Sequence, residues 1–126
     1  MHIKFRQLPG SFAVSRLPSD APIPQYTTTA SFISITRTVD ELSIVCLAAQ
    51  APHNPKCEEP WTCFKLEGLF PLPQTGVLAS FIDPLAARGG PIFAIATFDT
   101  DYVMVKEEFA ATALKTLQSA GHGLIS

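Results

Sequence analysis

The sequence predicts an α+β fold, an antiparallel sheet with helices on one face. Three observations carry this. Short runs rich in β-branched and aromatic residues alternate with period two; only two stretches repeat at the helical period; and both of these lie in the second half, one before and one after a strand pair. With 47% apolar and 16% charged residues among 126, the chain has enough apolar surface to offset its ordering entropy, which excludes a disordered tail. Its length also excludes a multidomain machine.

Ile3 to Gln7 reads as a strand, with Ile3 and Phe5 on one face and Lys4 and Arg6 on the other, closed by Pro9-Gly10. Phe12 to Leu17 alternates again, and Pro18, Pro22 and Pro24 then rule out a long helix. Phe32 to Thr36 and Leu42 to Cys46 flank Arg37-Thr38-Val39-Asp40-Glu41 and read as an antiparallel hairpin. Ala48 to Pro60, punctuated by Pro52, Pro55 and Pro60, reads as a surface linker. Thr62 to Glu67 resumes the alternation, and Gly68 to Pro73 makes a turn.

Val77, Leu78, Phe81, Ile82 and Leu85 then form one face of a helix, with Thr75 placed to cap it and Gly89-Gly90 to stop it. Pro84 lies inside that helix. It deprives the Ser80 carbonyl of its amide partner, which predicts a kink or a split. Ile92 to Phe98 and Tyr102 to Lys106 form a second hairpin around Asp99-Thr100-Asp101, and Tyr102 to Val105 is apolar on both faces, as in a central strand. Phe109, Ala113, Leu114 and Leu117 mark a second helix, with Glu107 and Glu108 at its positive end and Gly121 beyond it.

The hairpins repeat. Ser31 to Cys46 lies over Pro91 to Lys106 at a constant offset, pairing Ile35 with Ile95, Glu41 with Asp101 and Val45 with Val105. This divides the chain into halves, 1–60 and 61–126, the first made mostly of strands. The second half reads strand, helix, strand, strand, helix, which lacks only a last strand to be a ferredoxin-like unit. The chain ends too early to supply that strand, so Phe12 to Leu17 is the expected donor.

Nine Lys and Arg against eleven Asp and Glu give a net charge of −2, the wrong sign for nucleic acid. Charges interrupt the N-terminal alternation where a secretory leader needs an apolar run, and stretches such as Ile92 to Ala96 fall well short of the roughly 20 residues that cross a bilayer. Three cysteines argue for a reducing compartment, so the expected location is cytoplasmic. Cys46, His53, Cys57 and Cys63 have zinc-ligand chemistry but no knuckle spacing, and no metal or other cofactor is expected. His2 and His122 sit near the termini and His53 in the linker, no triad with a Cys or Ser is evident, and no enzyme activity is expected.

Leu8-Pro9-Gly10-Ser11-Phe12-Ala13-Val14, the hairpin from Ser34 to Val45, Thr75-Gly76-Val77-Leu78-Ala79-Ser80 and the run Ile92 to Tyr102 resemble small ACT-domain proteins related to the arginine-sensing CASTOR proteins and to aspartokinase regulatory domains. The resemblance implies tandem ACT-like, ferredoxin-like halves that bind a small amino acid, form a homodimer and act as a sensor or regulatory module on an enzyme. It places the ligand at Thr75, Gly76 and Val77, with Thr97, Phe98 and Asp101 facing it. A helix N-terminus offers free N–H groups to a carboxylate, and Asp99 or Asp101 would receive an ammonium. Read without the resemblance, Gly76 serves equally as a tight turn, Phe98 as core, and the two aspartates as partners of turn N–H groups. Pro84 and Gly90-Pro91 depart from the family pattern beside this site. The alternative reading is a docking or dimerisation module that has lost its ligand.

Overall fold

The computed structural model describes residues 2–25, 31–52, 56–68 and 76–125. In chain order the elements are β1 (Lys4–Gln7), β2 (Phe12–Leu17), β3 (Ser34–Arg37), β4 (Leu42–Leu47), β5 (Cys57–Leu66), α1 (Val77–Ala87), β6 (Ile92–Ala96), β7 (Asp101–Lys106), α2 (Ala110–Ser119) and β8 (Gly123–Ile125). Two compact units share them. One is Pro9–Trp61, and the other joins Met1–Leu8 to Thr62–Ser126. Strand β5 is continuous, so its first residues serve one unit and its last residues the other.

In the unit Pro9–Trp61 the strand order is β3-β4-β2-β5, antiparallel throughout. The alternation decides which face is buried: Leu42, Ile44 and Cys46 form a core that Leu17, Ala21 and Ile33 cover. Phe12 packs edge-to-face on Phe32 at 6.2 Å, and Trp61 is buried opposite Phe12, with its indole N–H donating to the Glu58 carbonyl at 3.1 Å. The Arg37 guanidinium donates to the carbonyls of Ser19 and Ala21, tying the outer strand to the proline-rich segment.

The second unit has the strand order β6-β7-β5-β1-β8. Its core is Phe5, Phe64 and Leu66 from the sheet with Val77, Phe81, Leu85, Ala113 and Leu117 from the helices. Phe5 lies edge-on to Phe64 at 5.4 Å and to Phe81 at 5.2 Å, a geometry that favours ring quadrupoles. Val103, Met104 and Val105 are fully buried because β7 lies between β5 and β6, as its two apolar faces predict.

Helix α1 runs unbroken through Pro84, so of the expected kink or split the split does not occur. The carbonyl that Pro84 strands is met by His122. Its Nε2 donates at 2.9 Å to the Ser80 carbonyl that Pro84 leaves without an amide, while its Nδ1 accepts from the Ile3 amide at 3.0 Å. The two partners fix the tautomer, since an amide can only donate and a carbonyl only accept. The ring is 4% exposed and rests 5.3 Å from Phe81.

Three further expectations need correction. The expected linker ends at Lys56, because Cys57 to Pro60 already belongs to β5, paired with β2. The donated strand is β1, not Phe12 to Leu17: β2 pairs only with β4 and the start of β5, whereas β1 lies between β5 and β8. The chain also does make a last strand. Gly123–Ile125 runs parallel to β1, too short for its periodicity to be read.

The hairpins do repeat, one residue out of the gapless alignment. Thr38-Val39-Asp40-Glu41 falls on Thr97-Phe98-Asp99-Thr100: in each turn the first threonine's amide and hydroxyl both donate to the carbonyl three residues on. With that shift, Ile44, Val45 and Cys46 match Val103, Met104 and Val105, all buried, and both hairpins lead into a short 3-10 turn, Ala48–Gln50 and Glu107–Phe109. Turn hydrogen bonds set the register, which a side-chain alignment alone misplaces.

Candidate functional site

The β6–β7 turn is pinned at both ends. Thr97 donates to the Thr100 carbonyl through its amide at 2.9 Å and its hydroxyl at 2.8 Å. The buried Thr100 hydroxyl donates in turn to the Leu66 carbonyl at 2.7 Å, fastening the turn to the end of β5. Between turn and strand end opens a cleft of about 300 Å³ lined by Lys65, Glu67, Gly68, Thr97, Asp99, Thr100 and Tyr102.

The charges in this cleft are arranged by its walls. Glu67 is already committed: Arg6 on β1 donates to it at 2.6 Å and holds its carboxyl below the ordinary value. The half-buried Lys65, whose charge also acts on Glu67, and the exposed Asp99 stand as a cation and an anion along the cleft. A zwitterion has the matching pair of groups. Asp101 begins β7 opposite Ala96, and burial pushes its carboxyl up from the ordinary value.

Of the residues expected to hold a ligand, Thr97 and Asp99 line the cleft. Phe98 does not: it is 81% exposed, at the tip of the turn. Asp101 is not among the lining residues either. Val77 is buried in the core with Phe81 and Leu85, so only its main chain is available to a ligand. Gly76 caps α1 with φ +85°, a left-handed conformation suited to glycine, and no side chain among the described residues caps the helix. Thr75 lies outside the described residues. Lys65, Glu67, Gly68, Thr100 and Tyr102 were not singled out from sequence. Lys65 and Glu67 sit on the outward face of a strand whose alternation draws attention to Phe64 and Leu66.

The cysteine and histidine set does not form a metal centre in the described part of the chain. Cys46 and Cys63 are buried, burial pushes the Cys63 thiol up to about 12, and His53 lies outside the described residues. No group of three candidate metal ligands comes together among the described residues. No described helix is long and apolar enough to cross a membrane. A wider groove of about 380 Å³ lies in the unit Pro9–Trp61, beside Arg16, Glu41, Lys56 and Glu58, and none of the expected ligand residues lines it.

A family model of the ACT domain matches residues 56–119, half of the chain. The chain belongs to the ACT-domain family. The ACT match starts with β5 and ends with α2, so it includes every described residue of the cleft. A second model, of an N-terminal domain, matches residues 10–54. A crystal structure of an Agrobacterium tumefaciens protein is similar at 39% identity and a TM-score of 0.91, over 99% of this chain and 93% of that one. Two more distant structures share the ACT-type fold. The aspartate kinase of Clostridium acetobutylicum has a TM-score of 0.62 at 12% identity, over 94% of this chain and 34% of that one. The ligand-free regulatory subunit of aspartate kinase from Thermus thermophilus has a TM-score of 0.56 at 12% identity, over 88% and 93% of the two chains. No curated protein matches the sequence.

Proposed function

We propose that this ACT-domain protein is a non-enzymatic regulatory module that binds a small amino acid in the cleft between the end of β5 and the Thr97–Thr100 turn. The observation that carries the reading is the pairing of Lys65 and Asp99 on one pinned polar cleft. Lys65 receives the ligand carboxylate and Asp99 its ammonium, while Arg6 holds the neighbouring Glu67 carboxylate. The main-chain amides at the start of α1, beginning at Gly76 and Val77, offer further donors to a carboxylate. Occupancy biases the packing of a homodimer, or of a regulated cytoplasmic enzyme, by the ligand's differential affinity for two arrangements.

Thermal denaturation against the twenty amino acids tests this. A ligand at about 100 times its dissociation constant stabilises the folded state by roughly 2.7 kcal/mol, a clear rise in midpoint. One or two amino acids should raise the midpoint, and Asp99→Ala and Lys65→Ala should each abolish the rise. Silence across the panel contradicts the reading. One observation favours the other reading, of a partner-docking module. Phe98 and Val39, at 81% and 92% exposed, occupy the same position in two threonine-pinned turns and present apolar side chains to solvent. If amino acids give no signal, Phe98→Ser should abolish binding to a partner enzyme.

A further inference from the structure

We propose that a second cleft, between the C-terminal end of α1 and the outer face of α2, binds a phosphate group. It is lined by Arg88, Thr112, Lys115, Thr116 and Ser119 and has a volume of about 320 Å³. Its chemistry is one-sided. Acidic residues outnumber basic ones in the chain as a whole, yet this cleft holds two cations, three hydroxyls and no carboxylate.

The sequence of α2 explains why these groups stand together. Ala113, Leu114 and Leu117 form the stripe that α2 packs on the core. Thr112, Lys115, Thr116 and Ser119 follow the spacing i, i+3, i+4, i+7 and therefore share a second stripe along the helix. Arg88 caps the end of α1 and closes the cleft from the other side.

Arg88 also differs from the other three arginines. Arg6 is held by Glu67, Arg16 by the Asp40 carbonyl and Arg37 by the carbonyls of Ser19 and Ala21. Among the described residues the Arg88 side chain has no hydrogen-bond or ion-pair partner, and neither has that of Lys115. The Thr116 hydroxyl is spent on the Thr112 carbonyl at 2.8 Å, which leaves Arg88, Lys115, Thr112 and Ser119 as donors. A planar fork, a point charge and two hydroxyls suit the several oxygens of a phosphate better than the two of a carboxylate. The volume leaves room beside the phosphate for a small organic group, so an ester should bind more tightly than inorganic phosphate.

The test is titration of the full chain with inorganic phosphate and with phenyl phosphate at constant ionic strength, followed by backbone amide resonances. Saturable shifts confined to Arg88, Thr112, Lys115, Thr116 and Ser119 are expected, with Arg88→Ala weakening affinity about tenfold. Lys4→Ala removes the same charge from an exposed site on β1 and should leave the affinity unchanged. Equal affinity for the two probes assigns the site to free phosphate, and tighter binding of the ester assigns it to a phosphorylated small molecule. Shifts that fail to saturate, or an Arg88→Ala effect no larger than that of Lys4→Ala, identify a diffuse ionic atmosphere and overturn the proposal.

Discussion

His122 repairs what Pro84 breaks. The proline removes an amide from α1, and the imidazole of a residue 42 positions away donates to the stranded Ser80 carbonyl. His122→Phe keeps the ring contact with Phe81 but leaves that carbonyl and the Ile3 amide without partners, so it should cost about 2–4 kcal/mol in urea denaturation. In a Pro84→Ala background the new amide takes the Ser80 carbonyl, and the same substitution should cost about 1 kcal/mol less. The free carbonyl was legible from Pro84 alone. Its partner was not, because no local pattern links a helix carbonyl to a histidine beyond the next helix.

The two shifted carboxyls act with opposite sign at the residue scale. Glu67 ionises more readily in the folded protein, so the stability it contributes is present above its unfolded pKa and is lost as the pH falls through its folded value. Asp101 ionises less readily, so ionising it costs stability as the pH rises through its raised value. Glu67→Gln should therefore flatten the acid limb of a stability–pH profile. Asp101→Asn should raise the denaturation midpoint at neutral pH and leave it unchanged at low pH.

At the scale of elements, strands and helices were legible wherever alternation or helical spacing was long enough to read. The failures fall where that signal is short or absent. Cys57-Glu58-Glu59-Pro60 has no apolar alternation, yet it pairs with β2 because backbone hydrogen bonds need no particular side chain. The β6–β7 turn moved by one residue for a similar reason, since Thr97 rather than the two aspartates organises it. That move changed the site: it put Phe98 in solvent and left Asp101 in the strand. Gly90 makes a separate prediction. A Cβ there would overlap the Phe109 ring, so Gly90→Ala should destabilise by about 1–3 kcal/mol through overpacking, measured by denaturation.

At the scale of the whole molecule, the first strand of the chain completes the unit built mainly from its last part. Strand β1 is flanked on both sides, by β5 and β8, and carries Phe5, which touches both Phe64 and Phe81. A chain beginning at Pro9 should lose cooperative unfolding of the unit Thr62–Ser126, seen as a broad thermal transition with exposed apolar surface. The sequence indicated that a strand was donated from the first half, but β1 and β2 alternate equally well, and only the pairing distinguishes them.

The proposed site stands on Lys65 and Asp99 binding the two ends of an amino acid. Backbone amide resonances followed during titration with each of the twenty amino acids test it most directly. Saturable shifts at Lys65 to Gly68 and Thr97 to Tyr102 are expected for one or two of them, lost in both Lys65→Ala and Asp99→Ala. Saturable shifts elsewhere with these residues unmoved, or no saturation with any amino acid, would contradict it.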